Sequence, residues 1–229
     1  PLLLRAARTR KSLVLSTGMG TLAEVEAALA VLAYGYTVTN DPPSQQSFQR
    51  AYASEKGRQA LRNRVTLLHC TTEYPSAYED ANLRAMDTLR ETFALPVGLS
   101  DHTPGIVMPI AAVARGATII EKHLTLDRNL AGPDHRASLE PDELREMVTA
   151  IRQVEAALGD GVKVPTVAER KNIPVARKSL VAARDIRKGE TFTVENIAIK
   201  RPGTGTSPMQ YWNLLGRMAE QDYKKDQVL

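Results

Sequence analysis

The sequence has 229 residues, of which 43% are hydrophobic, and a formal net charge of +4 at pH 7. The scattered basic residues argue against nucleic-acid binding, and no apolar run approaches the roughly 20 residues of a membrane span. The single cysteine, Cys70, excludes an internal disulfide. In Pro1–Arg10 a short apolar patch precedes the arginines, which is the reverse of the order in a signal peptide. The single cysteine and this order predict a reducing, cytoplasmic location.

The first predicted strand, Lys11–Met19, runs into a Ser-Thr-Gly turn. Thr21 and Glu24 then form the capping box of a helix. Backbone amides and the hydroxyls of Ser16 and Thr17 at such a turn suit a phosphate, although a plain tight turn between a strand and a helix carries the same residue types.

The polar stretch Tyr36–Arg64, with helical segments after its prolines, is predicted to be a peripheral insertion. Val65–Thr71 is the second strand, and the amphipathic pattern of Tyr78–Phe93 predicts a helix. Cys70 is interpreted as a buried core thiol, because no His–carboxylate pattern marks it as a nucleophile.

Two histidines follow the next two strands. Leu95–Ser100 leads to His102, and Ala117–Leu124 contains His123, 21 positions later. In a parallel sheet or barrel, adjacent strands place both imidazoles on one rim, where these folds carry their chemistry. Two such imidazoles can hold a divalent cation with open positions, although each could also be a satisfied polar residue at a strand end.

The polar loop Thr125–Ser138 follows the fourth strand and is a suitable place for substrate contacts. Four successive strand–helix units over 1–160 give either a small open sheet or half of an eight-stranded barrel. The size of each unit favours half of a (β/α)8 TIM-type barrel whose first half is not in this sequence. The insertion spans 36–64.

A linker is predicted over 161–177, followed by a small β-rich module over 178–229. Its Arg201-Pro202-Gly203 loop presents a guanidinium on rigid backbone. This arrangement suits a carboxylate or phosphate, although a solvated turn has the same sequence features.

Five motifs occur in a fixed order: STGM, LLHCTTEYP, GLSDHT, EKHLTLDR followed by GPDH, and KRPGTG. In this order they resemble the sialic acid synthases, a family that includes N-acetylneuraminate and legionaminic acid synthases. The resemblance covers essentially the whole chain. It implies a (β/α)8 barrel followed by an antifreeze-like (SAF) domain, here incomplete at its end. It also implies a cytoplasmic transferase of sialic acid biosynthesis.

The resemblance implies that phosphoenolpyruvate condenses with an N-acetylmannosamine-type sugar. The enol carbon attacks the sugar aldehyde, water adds to the resulting cationic carbon, and phosphate leaves with C–O cleavage. His102 and His123 match the metal ligands of the family, and a bound metal would polarise the aldehyde as a Lewis acid. Two imidazoles with oxygen donors suit Mn²⁺, Mg²⁺ or Co²⁺.

Further residues match substrate-binding positions of the family. Ser16 and Ser100 match phosphate-binding serines, and Tyr74 and Asp134 match sugar contacts. Thr72 stands where some members have Asn. Arg201 matches an arginine that enters the barrel of a second subunit, which implies a swapped homodimer.

The family's catalytic glutamate and phosphoenolpyruvate-binding lysines belong to the first half of the barrel. We therefore expect a chain of these 229 residues to be inactive alone. Two alternatives remain: a truncated, non-catalytic module that binds a ligand or partner, and a Schiff-base aldolase that uses Lys122. Strand phase argues against the aldolase, because Lys122 points away from the side of His123.

Overall fold

The computed structural model describes residues 1–38 and 40–229. The chain divides into two compact units, Pro1–Asp160 and Gly161–Leu229. Among the described residues, no helix is long and apolar enough to cross a membrane.

The first unit alternates strands with helices. In chain order its elements are α1 (Leu2–Arg8), β1 (Leu13–Ser16), α2 (Leu22–Thr37), α3 (Gln45–Ala53), α4 (Glu55–Arg64), β2 (Val65–Cys70), α5 (Ala85–Phe93), β3 (Val97–Asp101), α6 (Val107–Ala114), β4 (Ile120–Lys122) and α7 (Pro141–Leu158). The strands form one parallel sheet in the order β1-β2-β3-β4. This sheet is curled into a half-barrel, which confirms the predicted fold class.

The two faces of the sheet differ in chemistry because strand side chains alternate. Helices cover the outer face, where the core contains strand residues from all four strands: Leu13, Leu15, Val65, Leu67, Val97, Leu99 and Ile120. The opposite face, called the inner face here, carries the alternate residues: Val14, Ser16, Thr66, Leu68, Cys70, Gly98, Ser100, Ile119 and Glu121. The inner face is therefore the more polar of the two.

Gly98 lets β3 and β4 approach closely. A Cβ at this position would lie 2.3 Å from the carbonyl oxygen of Ile119 and 2.7 Å from Cδ2 of Leu68. The first of these atoms belongs to the backbone of the neighbouring chain segment, so it cannot rotate away. Any larger residue must push the strands apart.

The helix predicted over Tyr78–Phe93 is shorter in the structure. A 3-10 turn spans Tyr78–Asp80, and α5 begins only at Ala85. Between them Asn82 adopts a left-handed backbone conformation with φ of 38°, which interrupts the helix. The predicted apolar face is nevertheless buried, through Met86, Leu89 and Phe93.

The stretch 36–64, predicted as a peripheral insertion, contributes side chains to the main core. It forms α3 and α4, and Ala51 and Leu61 are buried in the main core. Ser44 and Ser54 cap these helices by accepting backbone hydrogen bonds from Ser47 and Gly57. Residue 39, within the insertion, lies outside the described residues.

The second unit contains α8 (Val167–Ala176), β5 (Ser179–Ala182), β6 (Ile197–Lys200) and α9 (Tyr211–Leu214). The two strands are antiparallel, and they help to enclose a core that includes Leu180, Ile186, Phe192 and Ile197. The stretch 161–177, predicted as a linker, contains α8, which begins at a capping box between Thr166 and Glu169.

Substituting Gly98 with Ala should destabilise the first unit by about 1–3 kcal/mol, the usual cost of overpacking. The reason is the 2.3 Å approach to a backbone oxygen. Urea unfolding measures the change. Gly20→Ala is the control, because the nearest atom to a Cβ there lies 3.2 Å away and the next 3.8 Å. Equal stability of the two variants would contradict this account of the β3–β4 contact.

Candidate functional site

His102 directly follows β3 and is buried, with 6% of its surface exposed. Its Nδ1 lies 2.8 Å from the backbone carbonyl oxygen of Thr71. A carbonyl can only accept, so Nδ1 carries the proton and Nε2 keeps its lone pair. A metal-binding histidine commonly has its second nitrogen held in this way.

His123 follows β4, and its ring converges on that of His102. The ring centroids are 5.2 Å apart and the planes are nearly perpendicular, at 84°. Tyr74 lies beside both, with ring centroids 4.2 Å from His102 and 5.4 Å from His123. The carboxylate of Asp134 is 3.9 Å from His123 Nδ1, within ion-pair reach but too long for a hydrogen bond. The structure thus brings four sequence-predicted residues together.

Ser100 and Glu121 face each other on the inner face, two positions before His102 and His123. They are paired in the sheet register, and the Ser100 hydroxyl donates a 2.6 Å hydrogen bond to Glu121 Oε1. Ser100 is 3% exposed, whereas Glu121 is exposed. Sequence reasoning assigned no role to Glu121, although strand phase places it on the side of His123.

Cys70 belongs to the same rung, opposite Ser100, and is only partly buried. Its sulfur lies 3.8 Å from Nδ1 of His102. The interpretation of Cys70 as a buried core thiol is therefore wrong. Its strand position turns it to the inner face, away from the helix-covered core.

Lys122 points to the opposite side of the sheet from Glu121. Its Nζ forms a 2.6 Å ion pair with Asp101, and the two side chains are only 3% and 2% exposed. It also donates to the carbonyl oxygen of Thr103. A lysine held in this way is not a free nucleophile on the inner face, which disfavours the Schiff-base hypothesis.

The end of β1 offers fewer polar groups than its sequence suggests. Ser16 is exposed at the last position of the strand. The Thr17 hydroxyl, in contrast, donates to the carbonyl oxygen of Leu68 at 2.8 Å, so its proton is already used. Thr72 packs against this turn at Gly18. A Cβ added to Gly18 would lie 2.4 Å from the hydroxyl oxygen of Thr72.

The loop that carries Asp134 is fastened to the start of α7 by Arg128. Its backbone N–H donates to Glu140, its Nε donates to the carbonyl oxygen of Ser138, and its Nη2 pairs with Glu143. The side-chain hydrogen bond between Arg128 and Glu143 raises the pKa of the guanidinium and lowers the pKa of the carboxyl. The loop is thereby fixed at both of its ends.

Arg201 belongs to the second unit, where it is exposed and its Nε donates to the carbonyl oxygen of Ala176 at 3.0 Å. The fork of its guanidinium group suits a planar anion.

Within residues 1–38 and 40–229, no group of three or more His, Cys, Asp or Glu side chains is arranged to hold a metal ion. What the site offers is two imidazoles. Because histidine–metal bonds are about 2.0–2.1 Å long, rings with centroids 5.2 Å apart fit one shared ion. Such a site keeps open positions for oxygen ligands from substrate or water.

Comparisons with known proteins place both units in described families. Residues 1–163 match the model of the NeuB family, and residues 177–229 match the SAF domain. The N,N'-diacetyllegionaminic acid synthase of Campylobacter jejuni is 47% identical over all 229 residues, which cover 62% of that protein. The chain spans about three-fifths of the length of the curated relatives that it matches over its full extent.

Two solved structures agree with this placement. A sialic acid synthetase from Leptospira borgpetersenii, crystallised with citrate, is 35% identical with a TM-score of 0.58, over 75% of this chain and 51% of that one. A spore coat polysaccharide biosynthesis protein from Bacillus subtilis is 32% identical with a TM-score of 0.54, over 100% and 62% of the two chains. The family resemblance predicted from the motifs is confirmed.

Glu143→Gln should lower the free energy of unfolding at pH 7 by about 1 kcal/mol, because it weakens both the Arg128 contact and the helix cap. The Arg128 guanidinium holds the folded-state pKa of Glu143 below its ordinary value, so its contribution is complete above the ordinary carboxyl pKa and is lost as the pH falls through the folded-state pKa. Urea unfolding at pH 7 and pH 3.5 measures this. Asp142→Asn, whose carboxylate is 89% exposed, is the control. A deficit in Glu143→Gln that does not shrink in acid would contradict the assignment.

Proposed function

Since the chain belongs to the NeuB family, we propose that it supplies one side of the active site of a sialic acid synthase-type enzyme. The proposed reaction joins phosphoenolpyruvate, an N-acetylmannosamine-type sugar in its aldehyde form and water, and it gives a nine-carbon sugar acid and phosphate. The observation that carries the proposal is the convergence of His102 and His123 at neighbouring strand ends. The names of the relatives support the reaction class.

His102 and His123 are proposed to hold a divalent cation, Mn²⁺, Mg²⁺ or Co²⁺, through their Nε2 atoms. The cation supplies Lewis-acid polarisation of a carbonyl oxygen when bound. Nδ1 of His102 keeps its proton and donates it to the Thr71 carbonyl oxygen, so the ring needs no change of tautomer to bind. Tyr74 and Asp134, which flank the rings, are proposed to contact the sugar.

The phosphoenolpyruvate anion is proposed to lie along the inner face, near Ser16, Thr72 and Ser100. None of the inner-face positions in the described strands is Lys or Arg, and Lys122 is paired on the other face. The cations that balance a phosphate and a carboxylate must therefore come from elsewhere. Arg201 of a second subunit is a proposed source, which corresponds to a swapped homodimer.

The same lack of cations favours the second candidate function, in which the isolated chain binds a partner or ligand without turnover. We expect the 229-residue chain alone to release no phosphate. The two candidates make different predictions for a chimera in which this chain replaces the matching segment of the Campylobacter jejuni legionaminic acid synthase.

The chimera should release phosphate from phosphoenolpyruvate in the presence of Mn²⁺ and a suitable sugar. N-acetylmannosamine and its 6-deoxy diacetamido relative are assayed in parallel, because the sugar contacts named here do not separate them. A folded chimera that releases no phosphate with either sugar would contradict the proposed function. Phosphate release by the isolated chain would contradict the expectation that it is inactive.

In the active chimera, His102→Ala and His123→Ala should each lower Mn²⁺-dependent turnover by about 100-fold or more. Losing only a partner of a metal ligand already costs about 10- to 100-fold. His69→Ala is the matched control, because His69 lies on the outer face and its Nε2 pairs with the carbonyl oxygen of Ala81. Unchanged turnover in either of the first two variants would rule out the proposed metal site.

A further inference from the structure

A buried ion pair immediately precedes the two converging histidines. Asp101 is followed by His102, and Lys122 is followed by His123. We infer that Asp101 and Lys122 are positioning residues that set the separation and orientation of the two imidazoles, and through them the affinity for a divalent cation. This inference rests on the proposed function, because it concerns the same pair of histidines.

The sheet register makes the connection direct. Asp101 and Lys122 are paired across β3 and β4, and their side chains meet at 2.6 Å on the outer face. The rung before them is tied on the inner face by the hydrogen bond from Ser100 to Glu121. Two successive rungs are therefore cross-linked, one on each face, and the histidines follow at the next position of each strand.

Thr103 closes the ion pair into a ring of contacts around His102. Its backbone N–H and its hydroxyl both donate to Asp101 Oδ1, at 3.0 and 2.9 Å, while its carbonyl oxygen accepts from Lys122. Asp101 and Thr103, which lie on either side of His102, are thus both bonded to Lys122. A shift of β4 along β3 would break both contacts of Lys122, to Asp101 and to Thr103.

Stability alone does not account for a charged pair at this place. The preceding outer-face residues, Leu99 and Ile120, pack in the apolar core. A buried ion pair is commonly no more stable than apolar side chains of similar volume, because both charges lose their hydration. What the pair adds over an apolar contact is direction, since its hydrogen bonds are satisfied in only one arrangement of the two strand ends.

The test separates stability from positioning. Asp101→Asn and Lys122→Met each leave one buried partner unmatched and should destabilise the chain. The double variant Asp101→Asn/Lys122→Met removes both charges and should recover stability relative to Lys122→Met, which leaves a buried carboxylate alone. We expect its dissociation constant for Mn²⁺ to remain about 10- to 100-fold weaker than that of the unchanged chain, as for other partners that orient metal ligands.

The probe is Mn²⁺ alone, measured through the electron paramagnetic resonance signal of the free ion, with thermal unfolding recorded on the same samples. Asp87→Asn/Arg115→Met is the matched control, because it removes an ion pair between α5 and the end of α6. Thr103→Val is a milder variant that removes only the hydroxyl donor to Asp101. It should weaken Mn²⁺ binding a few-fold.

A second readout needs no metal. Long-range ¹H–¹⁵N spectra of the imidazoles report ring environment and tautomer for each of the four histidines. The signals of His102 and His123 should shift or broaden in the double variant and in Thr103→Val. The signals of His69 and His135 should stay in place, because their ring nitrogens pair with Ala81 and Thr125 instead.

The inference is overturned if the double variant keeps both its Mn²⁺ affinity and its His102 and His123 signals. If the double variant does not fold, the same result for Thr103→Val overturns it. If the unchanged chain shows no Mn²⁺ binding that depends on His102, the metal part of the proposed function fails, and the imidazole signals alone decide the positioning role.

Discussion

The parallel register of β2, β3 and β4 is the constraint on which the site depends. Parallel strands deliver their C-terminal ends to one edge, so residues that are distant in sequence arrive side by side. Cys70, Ser100 and Glu121 share one rung in this register. A slip of one residue would turn Glu121 and His123 towards the helices and Lys122 towards the inner face. The apolar outer face opposes such a slip.

The direction of hydrogen bonds matters as much as the positions of the atoms. The Thr71 carbonyl fixes the proton of His102 on Nδ1, and this leaves Nε2 as the only basic nitrogen of a buried ring. His123 is more exposed, and its Nδ1 lies 3.9 Å from the carboxylate of Asp134. The two rings therefore differ in rigidity. The buried ring serves as the fixed side of the pair, and His123 depends on its strand and on the loop that Arg128 fastens.

Much of this arrangement could be predicted from the sequence because it follows from local rules. Strand phase correctly separated Lys122 from His123, and the spacing of the histidines predicted their convergence. The start of α5 could not be predicted, because Asn82 leaves the helical region for a left-handed conformation that the apolar pattern does not reveal. The buried position of Ala51 and Leu61 depends on the tertiary packing of α3 and α4 onto α2, and polar composition concealed it.

The pairing of Ser100 with Glu121 also escaped sequence reasoning, and it constrains how an anion can bind. A hydroxyl has one proton, and Ser100 gives it to Glu121. It cannot donate the same proton to a phosphate. Glu121 must therefore turn away before Ser100 can donate to a phosphate at the proposed anion site. Because Glu121 is exposed and its outer-face neighbour Lys122 is locked to Asp101, the side chain can turn without disturbing the strand that carries His123. The proposed anion site and the histidine pair thus lie on the same two strands, with the Asp101–Lys122 ion pair between them.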